Sequence, residues 1–213
     1  MHLSSKHRSR GFSLLELLVA IAVIAILSGL LMVTLGRTRT AADNVKCVNN
    51  LRQLGGALRM YANENKGFLP KPTDNYLNKN ATSVSWMIVT GDYMNMPFPK
   101  TNQDTFFLCP EAMNTYPDGN ARRTYAMNAA GTDSKTAMNL LVFENPVSTA
   151  LLYDSASSSS IDGYAVFGIN SFEKNVEWRH NHGTNVLMID GHVEHVSEDD
   201  IDQLELYVRN FIY

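Results

Sequence analysis

Lys6-His-Arg-Ser-Arg-Gly-Phe-Ser-Leu-Leu-Glu16 opens the stretch that decides the fold, and Leu17-Leu-Val-Ala-Ile-Ala-Val-Ile-Ala-Ile-Leu-Ser-Gly-Leu-Leu-Met-Val-Thr-Leu35 completes it. No residue from Leu17 to Leu35 carries a charge. Nineteen residues at about 1.5 Å each make a helix of roughly 28 Å, close to the hydrocarbon thickness of a bilayer. Basic residues precede the run, and Arg37 and Arg39 follow it. Length and flanks predict a membrane-spanning helix. Glu16 breaks the pattern. A carboxylate within an apolar span costs a few kcal/mol unless paired, so it marks a function that a plain anchor lacks. A secretory signal peptide fits poorly, because the apolar core is too long and no Ala-x-Ala-like site follows it.

Arg10-Gly-Phe-Ser-Leu-Leu-Glu16 resembles the processing site of type IV prepilins and of type II secretion pseudopilins. The resemblance implies cleavage between Gly11 and Phe12 by a prepilin peptidase, N-methylation of Phe12, and retention of Glu16 for assembly. A lone carboxylate packed among helices needs a partner, and the amino terminus of a neighbouring Phe12 is the one the family offers. Such a pair fixes the axial register of incoming subunits, as a buried polar residue does in a coiled coil. The bland alternative is a Glu16 that snorkels to the headgroups, which leaves the Gly-Phe junction unexplained.

The chain has 213 residues and a net charge of −3. Removing Lys6, Arg8 and Arg10 with the leader leaves 15 basic against 21 acidic residues, a net −6. Such a head has no broad basic field, which disfavours specific nucleic-acid binding. The basic leader predicts a cytoplasmic N-terminus. Two cysteines, Cys47 and Cys109, allow one intramolecular disulfide in an oxidising exterior. Spacing does not decide between that bridge and two separate buried thiols. There is no Cys-x-x-Cys pair to suggest a zinc knuckle or a thioredoxin-like site.

Past the apolar run, Cys47, Leu51, Leu54, Leu58 and Tyr61 recur at steps of four and three, one apolar helix face. Asn65-Lys-Gly67 and Pro70 supply a stop. A single helix is expected over 12–64, with 12–35 in the membrane. Gly29, Gly36 and Gly55-Gly56 are points where it could bend or fray. The block Cys47 to Pro70, together with His180-x9-Asp190-Gly191, resembles a subgroup of pilin-like proteins abundant in planctomycete and verrucomicrobial-type bacteria.

The remainder is read from local signals. Residues 68–135 are rich in loop formers and are expected to form an insertion covering one side of the head, with Trp86–Met94 a short helix and Arg123–Asn128 a strand. Ser148–Tyr153 reads as a strand ending in Asp154, and Ser155–Ser160 as a low-complexity loop. Asn185–Val196 reads as a hairpin turning at Asp190-Gly191 in type I′ geometry. Ser197 with Asp200 opens a last helix, whose apolar face is Ile201, Leu204, Leu206, Val208 and Phe211.

Candidate chemistry is sparse. His180, His182 and His192, with Asp154, are the candidates for a Zn²⁺ or Ni²⁺ site. The plainer reading has hydrogen-bonding histidines tying the hairpin to the loop before it, and no metal. Calcium, which some pseudopilin heads bind, has only Ser197–Asp200 to offer, and that segment reads better as a helix start. No Gly-x-Ser-x-Gly elbow and no phosphate loop occur.

The expected fold is α+β and pilin-like: a long N-terminal helix, membrane-spanning in its first half, packed on a small antiparallel sheet, with a C-terminal helix. The expected organisation is leader 1–11, helix 12–64 and globular head 65–213. The resemblance implies a structural subunit of a type IV pilus or type II secretion pseudopilus, a substrate of an enzyme rather than an enzyme, with no cofactor. Implied partners are copies of itself in a filament homopolymer, minor pilins or pseudopilins, the prepilin peptidase and the inner-membrane assembly platform. Implied placement is single-pass in the inner membrane with a periplasmic head, then a filament in the periplasm or at the cell surface. The contrasting reading is a monomeric, membrane-tethered extracytoplasmic binding module using residues 68–135. Glu16 and a free Phe12 terminus matter to a polymer and are irrelevant to a tether.

Overall fold

The computed structural model describes residues 13–72, 85–96, 105–115, 123–129, 137–156, 166–167 and 172–210. The chain divides into two compact units, Met1–Ala41 and Ala42–Tyr213. Helix α1 runs Leu14–Glu64 without interruption, so none of its four glycines breaks it. In the first unit its large apolar side chains are exposed from Leu14 to Met32, and this segment is long and apolar enough to cross a membrane once.

The second unit is built on a five-stranded sheet. Its elements in chain order are α2 (Trp86–Tyr93), α3 (Ala112–Thr115), β1 (Tyr125–Asn128), β2 (Ala150–Asp154), β3 (Val166–Phe167), α4 (Phe172–Asn175), β4 (Gly183–Met188), β5 (Val193–Ser197) and α5 (Ile201–Arg209). The strand order is β3-β1-β2-β4-β5. The four longer strands pair antiparallel, and the two-residue β3 adds a parallel edge to β1. The fold is α+β and pilin-like.

Each sheet face carries a helix. Cys47, Leu51, Leu54, Leu58 and Ala62 of α1 pack with Met127, Leu152 and Leu187 on one face. Burying each of the three leucines contributes roughly 1.5–3 kcal/mol, more than the 0.5–1 kcal/mol or so that Gly55 and Gly56 each cost the helix. Packing therefore holds this half of α1 in place. Ala62 closes the buried face. Tyr61 is half-buried beside it, its ring edge-on to Tyr93 at 5.9 Å. Asn50 is buried and donates to the Leu108 carbonyl at 3.0 Å. On the other face, Ala126, Tyr153, Val186, Met188 and Val196 pack with Leu204, Tyr207 and Val208 of α5.

Three local expectations change. The described parts of 68–135 are not a cover on the head, because they supply β1, an interior strand, and place Leu69, Trp86, Phe107 and Cys109 in the core. The β4–β5 turn is not type I′. Gly191 alone has positive φ (+97°), Gly191 N–H donates to Met188 O at 3.0 Å, and Met188 N–H donates to His192 O at 2.9 Å. This is a three-residue loop with a left-handed glycine at a bulge, which widens the turn by one residue. On α5, Tyr207 is buried where Leu206 was expected, and Leu206 is 54% exposed. Ser197 accepts from Asp199 N–H and so caps the 3₁₀ turn Glu198–Asp200 that leads into α5. Residues 157–160 of the serine-rich loop and Phe211 lie outside the described residues.

Candidate functional site

The N-terminal site begins at Ser13, because Gly11 and Phe12 lie outside the described residues. Ser13 starts α1 as its N-cap. Its carbonyl accepts from Leu17 N–H at 3.2 Å, and its Oγ accepts from Leu15 N–H at 3.2 Å. Its own N–H donates to Glu16 Oε2 at 3.0 Å. Ser13-x-x-Glu16 is thus a capping box, with the carboxylate at the positive end of the helix dipole. Glu16 has a local partner before any other chain approaches. The Ser-x-x-Glu spacing announces this box, and reading Glu16 only as a charge within an apolar run misses it.

A second constellation lies inside the head. Asp154 ends β2, where the pairing of β2 with β1 and β4 buries it completely. Arg179 and His180 lead into the turn before β4, in which Asn181 (φ +49°) and His182 (φ +58°) are left-handed. This turn aims His180 inward and leaves His182 exposed. His180 Nε2 lies 2.6 Å from Asp154 Oδ2. Its Nδ1 lies 2.5 Å from Glu111 Oε2, an ion-pair contact without hydrogen-bond angles. Arg179 Nε lies 3.8 Å from Asp154 Oδ1, and its Nη2 donates to Ser155 O at 2.8 Å. Burial pulls the His180 pKa down, but Asp154 and Glu111 outweigh it and hold the pKa above the ordinary histidine value. Arg179 also lies 3.8 Å from Glu177 Oε2, so the buried cluster alternates acidic and basic groups.

Cys47 and Cys109 form a disulfide that ties α1 to the segment leading to β1. Cys109 Sγ lies 3.5 Å from His180 Nε2. Of the sequence candidates for a metal, the structure brings together only His180 and Asp154. His192 is half-exposed, with its Nδ1 2.6 Å from Asp190 Oδ1. Among the described residues, no cluster of ligating atoms includes His182 or His192; the group that does form is Cys47, Cys109 and His180. Glu111 and Arg179 were not found from sequence, since nothing in their local context distinguishes them from surface charges.

A capped apolar helix of membrane-spanning length is thus continued by a head of pilin-like α+β fold. Residues 6–32 match the family described as the prokaryotic N-terminal methylation motif. The chain is similar to the type II secretion system core protein G of Klebsiella pneumoniae, 39% identical over 61 residues, which are 29% of this chain and 44% of that protein. It is also similar to core protein G of Pectobacterium carotovorum subsp. carotovorum, 36% identical over 64 residues (30% of this chain, 41% of that protein). The Escherichia coli (strain K12) core protein G is 37% identical over 68 residues, 32% of this chain and 45% of that protein. The chain therefore spans under half the length of these relatives. No solved structure matches it.

Proposed function

We propose that this protein is a structural, non-enzymatic subunit of a type II secretion pseudopilus. Prepilin peptidase cuts it after Gly11 and methylates Phe12. The first part of α1 holds it in the inner membrane, N-terminus in the cytoplasm and head in the periplasm, until an assembly platform draws it into a filament with copies of itself and minor pseudopilins. The observation that carries this reading is the methylation motif at residues 6–32 running directly into the apolar, membrane-length start of α1. The named relatives favour a secretion pseudopilus over an adhesive pilus.

Assembly follows from the chemistry of Glu16. Within one chain its carboxylate caps α1 through the Ser13 N–H. In a filament the amine of a neighbouring Phe12 offers a full positive charge, and a charge-assisted bond in a low-dielectric bundle is stronger than a neutral one. The exchange of partners sets the register. Mass spectrometry of the N-terminal peptide, from cells with an active prepilin peptidase, tests the reading. A peptide beginning at methylated Phe12 is expected. A peptide still beginning at Met1, with a control substrate cleaved, overturns the reading and leaves a membrane-tethered binding module in its place.

A further inference from the structure

We propose that Cys47 and Cys109, once reduced, form with His180 and Asp154 a buried site for a zinc-class divalent metal ion. This does not depend on the secretion reading, since it rests on residues of the second unit alone.

The sulfurs of Cys47 and Cys109 and Nε2 of His180 already converge, and all three residues are essentially inaccessible to solvent. Across one edge of a tetrahedral zinc site, with Zn–S about 2.3 Å and Zn–N about 2.0 Å, sulfur and nitrogen stand about 3.5 Å apart. Cys109 Sγ and His180 Nε2 are separated by 3.5 Å. Asp154 stands outside that converged trio and becomes the fourth donor by a small shift: its Oδ2 lies 2.6 Å from the same nitrogen, against about 3.3 Å for the N–O edge of a tetrahedral site, and its Oδ1 makes no hydrogen bond among the described residues. At that distance Nε2 and Oδ2 share a hydrogen bond; in the reduced form the metal displaces its proton and the two atoms move apart to the tetrahedral edge.

The surroundings suit a metal. Glu111 contacts Nδ1 from behind the ring, the position of the carboxylate that orients a ligating histidine. Two thiolates and Asp154 against a divalent ion leave one negative charge, which Arg179 beside Asp154 offsets, so that the Glu111 carboxylate behind the ring is the remaining charge of the site. Two soft sulfurs with one imidazole and one carboxylate select zinc over calcium or magnesium. The electrons balance: a dithiol reductant gives the disulfide two electrons and two protons and is itself oxidised to a disulfide. The metal then displaces both thiol protons and the Nε2 proton to bulk water. Either linkage ties α1 to the segment before β1, so the staple survives loss of the disulfide.

The test uses the full chain in detergent, reduced with a dithiol that is then removed under anaerobic gel filtration. Cobalt(II) serves as the probe and near-ultraviolet circular dichroism monitors the fold. We expect one cobalt per chain, with intense tetrahedral visible bands and a thiolate-to-cobalt charge-transfer band, both removed by zinc. The disulfide form should show neither band. His180→Ala should keep the charge-transfer band and weaken binding at least about 10-fold. The inference is overturned by any of four results. One is a natively folded, reduced chain that takes up no stoichiometric cobalt. Another is uptake without charge transfer, or equal uptake by the Cys47→Ser, Cys109→Ser double variant. The last is a reduced chain that loses its near-ultraviolet signal and does not recover it on adding zinc.

Discussion

The guanidinium of Arg59, on α1, donates through Nη2 to the carbonyl oxygen of Ile189 in the β4–β5 turn. Gly191 lies against the same group, so that a Cβ placed there would come within 3.2 Å of Nη2. The long helix thus holds the hairpin by a polar contact at the turn as well as by the core beneath it. Replacing Arg59 with Ala leaves the Ile189 carbonyl without this donor, and a hydrogen bond to a charged group is worth about 1.5–3 kcal/mol. Gly191→Ala forces a side chain to φ +97° and into the guanidinium, at a cost of about 1 kcal/mol or more. Thermal unfolding of the full chain in detergent, followed by near-ultraviolet circular dichroism, should show both variants less stable. An Arg59→Ala variant that melts with the parent chain would remove the contact from this account.

Adjacent glycines on α1 should respond with opposite signs. Gly56 is exposed, with nothing within 4 Å of an added Cβ, so Gly56→Ala gains helix propensity and stabilises by about 0.5–1 kcal/mol. At Gly55 the new methyl would lie 2.7 Å from Cδ2 of the fully buried Leu187. Gly55→Ala should be destabilising by about 1 kcal/mol as the core overpacks, and Gly55→Val by more. Denaturant midpoints of the variants settle the ordering, and equal gains from both alanines would mean that the helix does not approach β4 as closely as described.

Tyr153 donates to the Phe172 carbonyl at 3.1 Å, and burial raises its pKa well above the ordinary value of 10.0. Burial likewise raises Tyr125. Folding favours the neutral phenol, so this contribution is fully present below the unfolded pKa of about 10 and is lost as pH rises above it. Of the nine tyrosines, these two should ionise only together with the loss of near-ultraviolet signal. Tyrosinate absorbance is the readout. Ionisation of all nine in a still-folded chain would contradict their burial.

Glu16→Ala removes both the capping carboxylate at Ser13 and the charge proposed to meet a neighbouring Phe12. The helix loses about 1 kcal/mol of local stability at its first turn. Processing between Gly11 and Phe12 should continue, while sheared filaments disappear and the cut protein accumulates in the membrane fraction. Immunoblotting of sheared and membrane fractions distinguishes the steps, and filaments at parental abundance would remove Glu16 from assembly.

Local and periodic features of this protein were legible in its sequence. The charge-free run after Glu16, the four-three spacing from Cys47 to Leu58 and the Asp190-Gly191 turn each depend on neighbours within a few residues. Such neighbours fix a helix span, a helix face and a hairpin. The tertiary structure decided the rest. Strands β1, β2 and β4 are buried on both faces, so their sequences carry no polar alternation to reveal partner, order or register. Only the assembled sheet shows that β1 lies inside it, next to β2. The same pairing carries Asp154 to His180, and the Cys47–Cys109 link and its neighbour Glu111 to both. These residues are spread over more than half the chain, and no spacing rule joins them. Burial then makes their charges and sulfurs depend on one another.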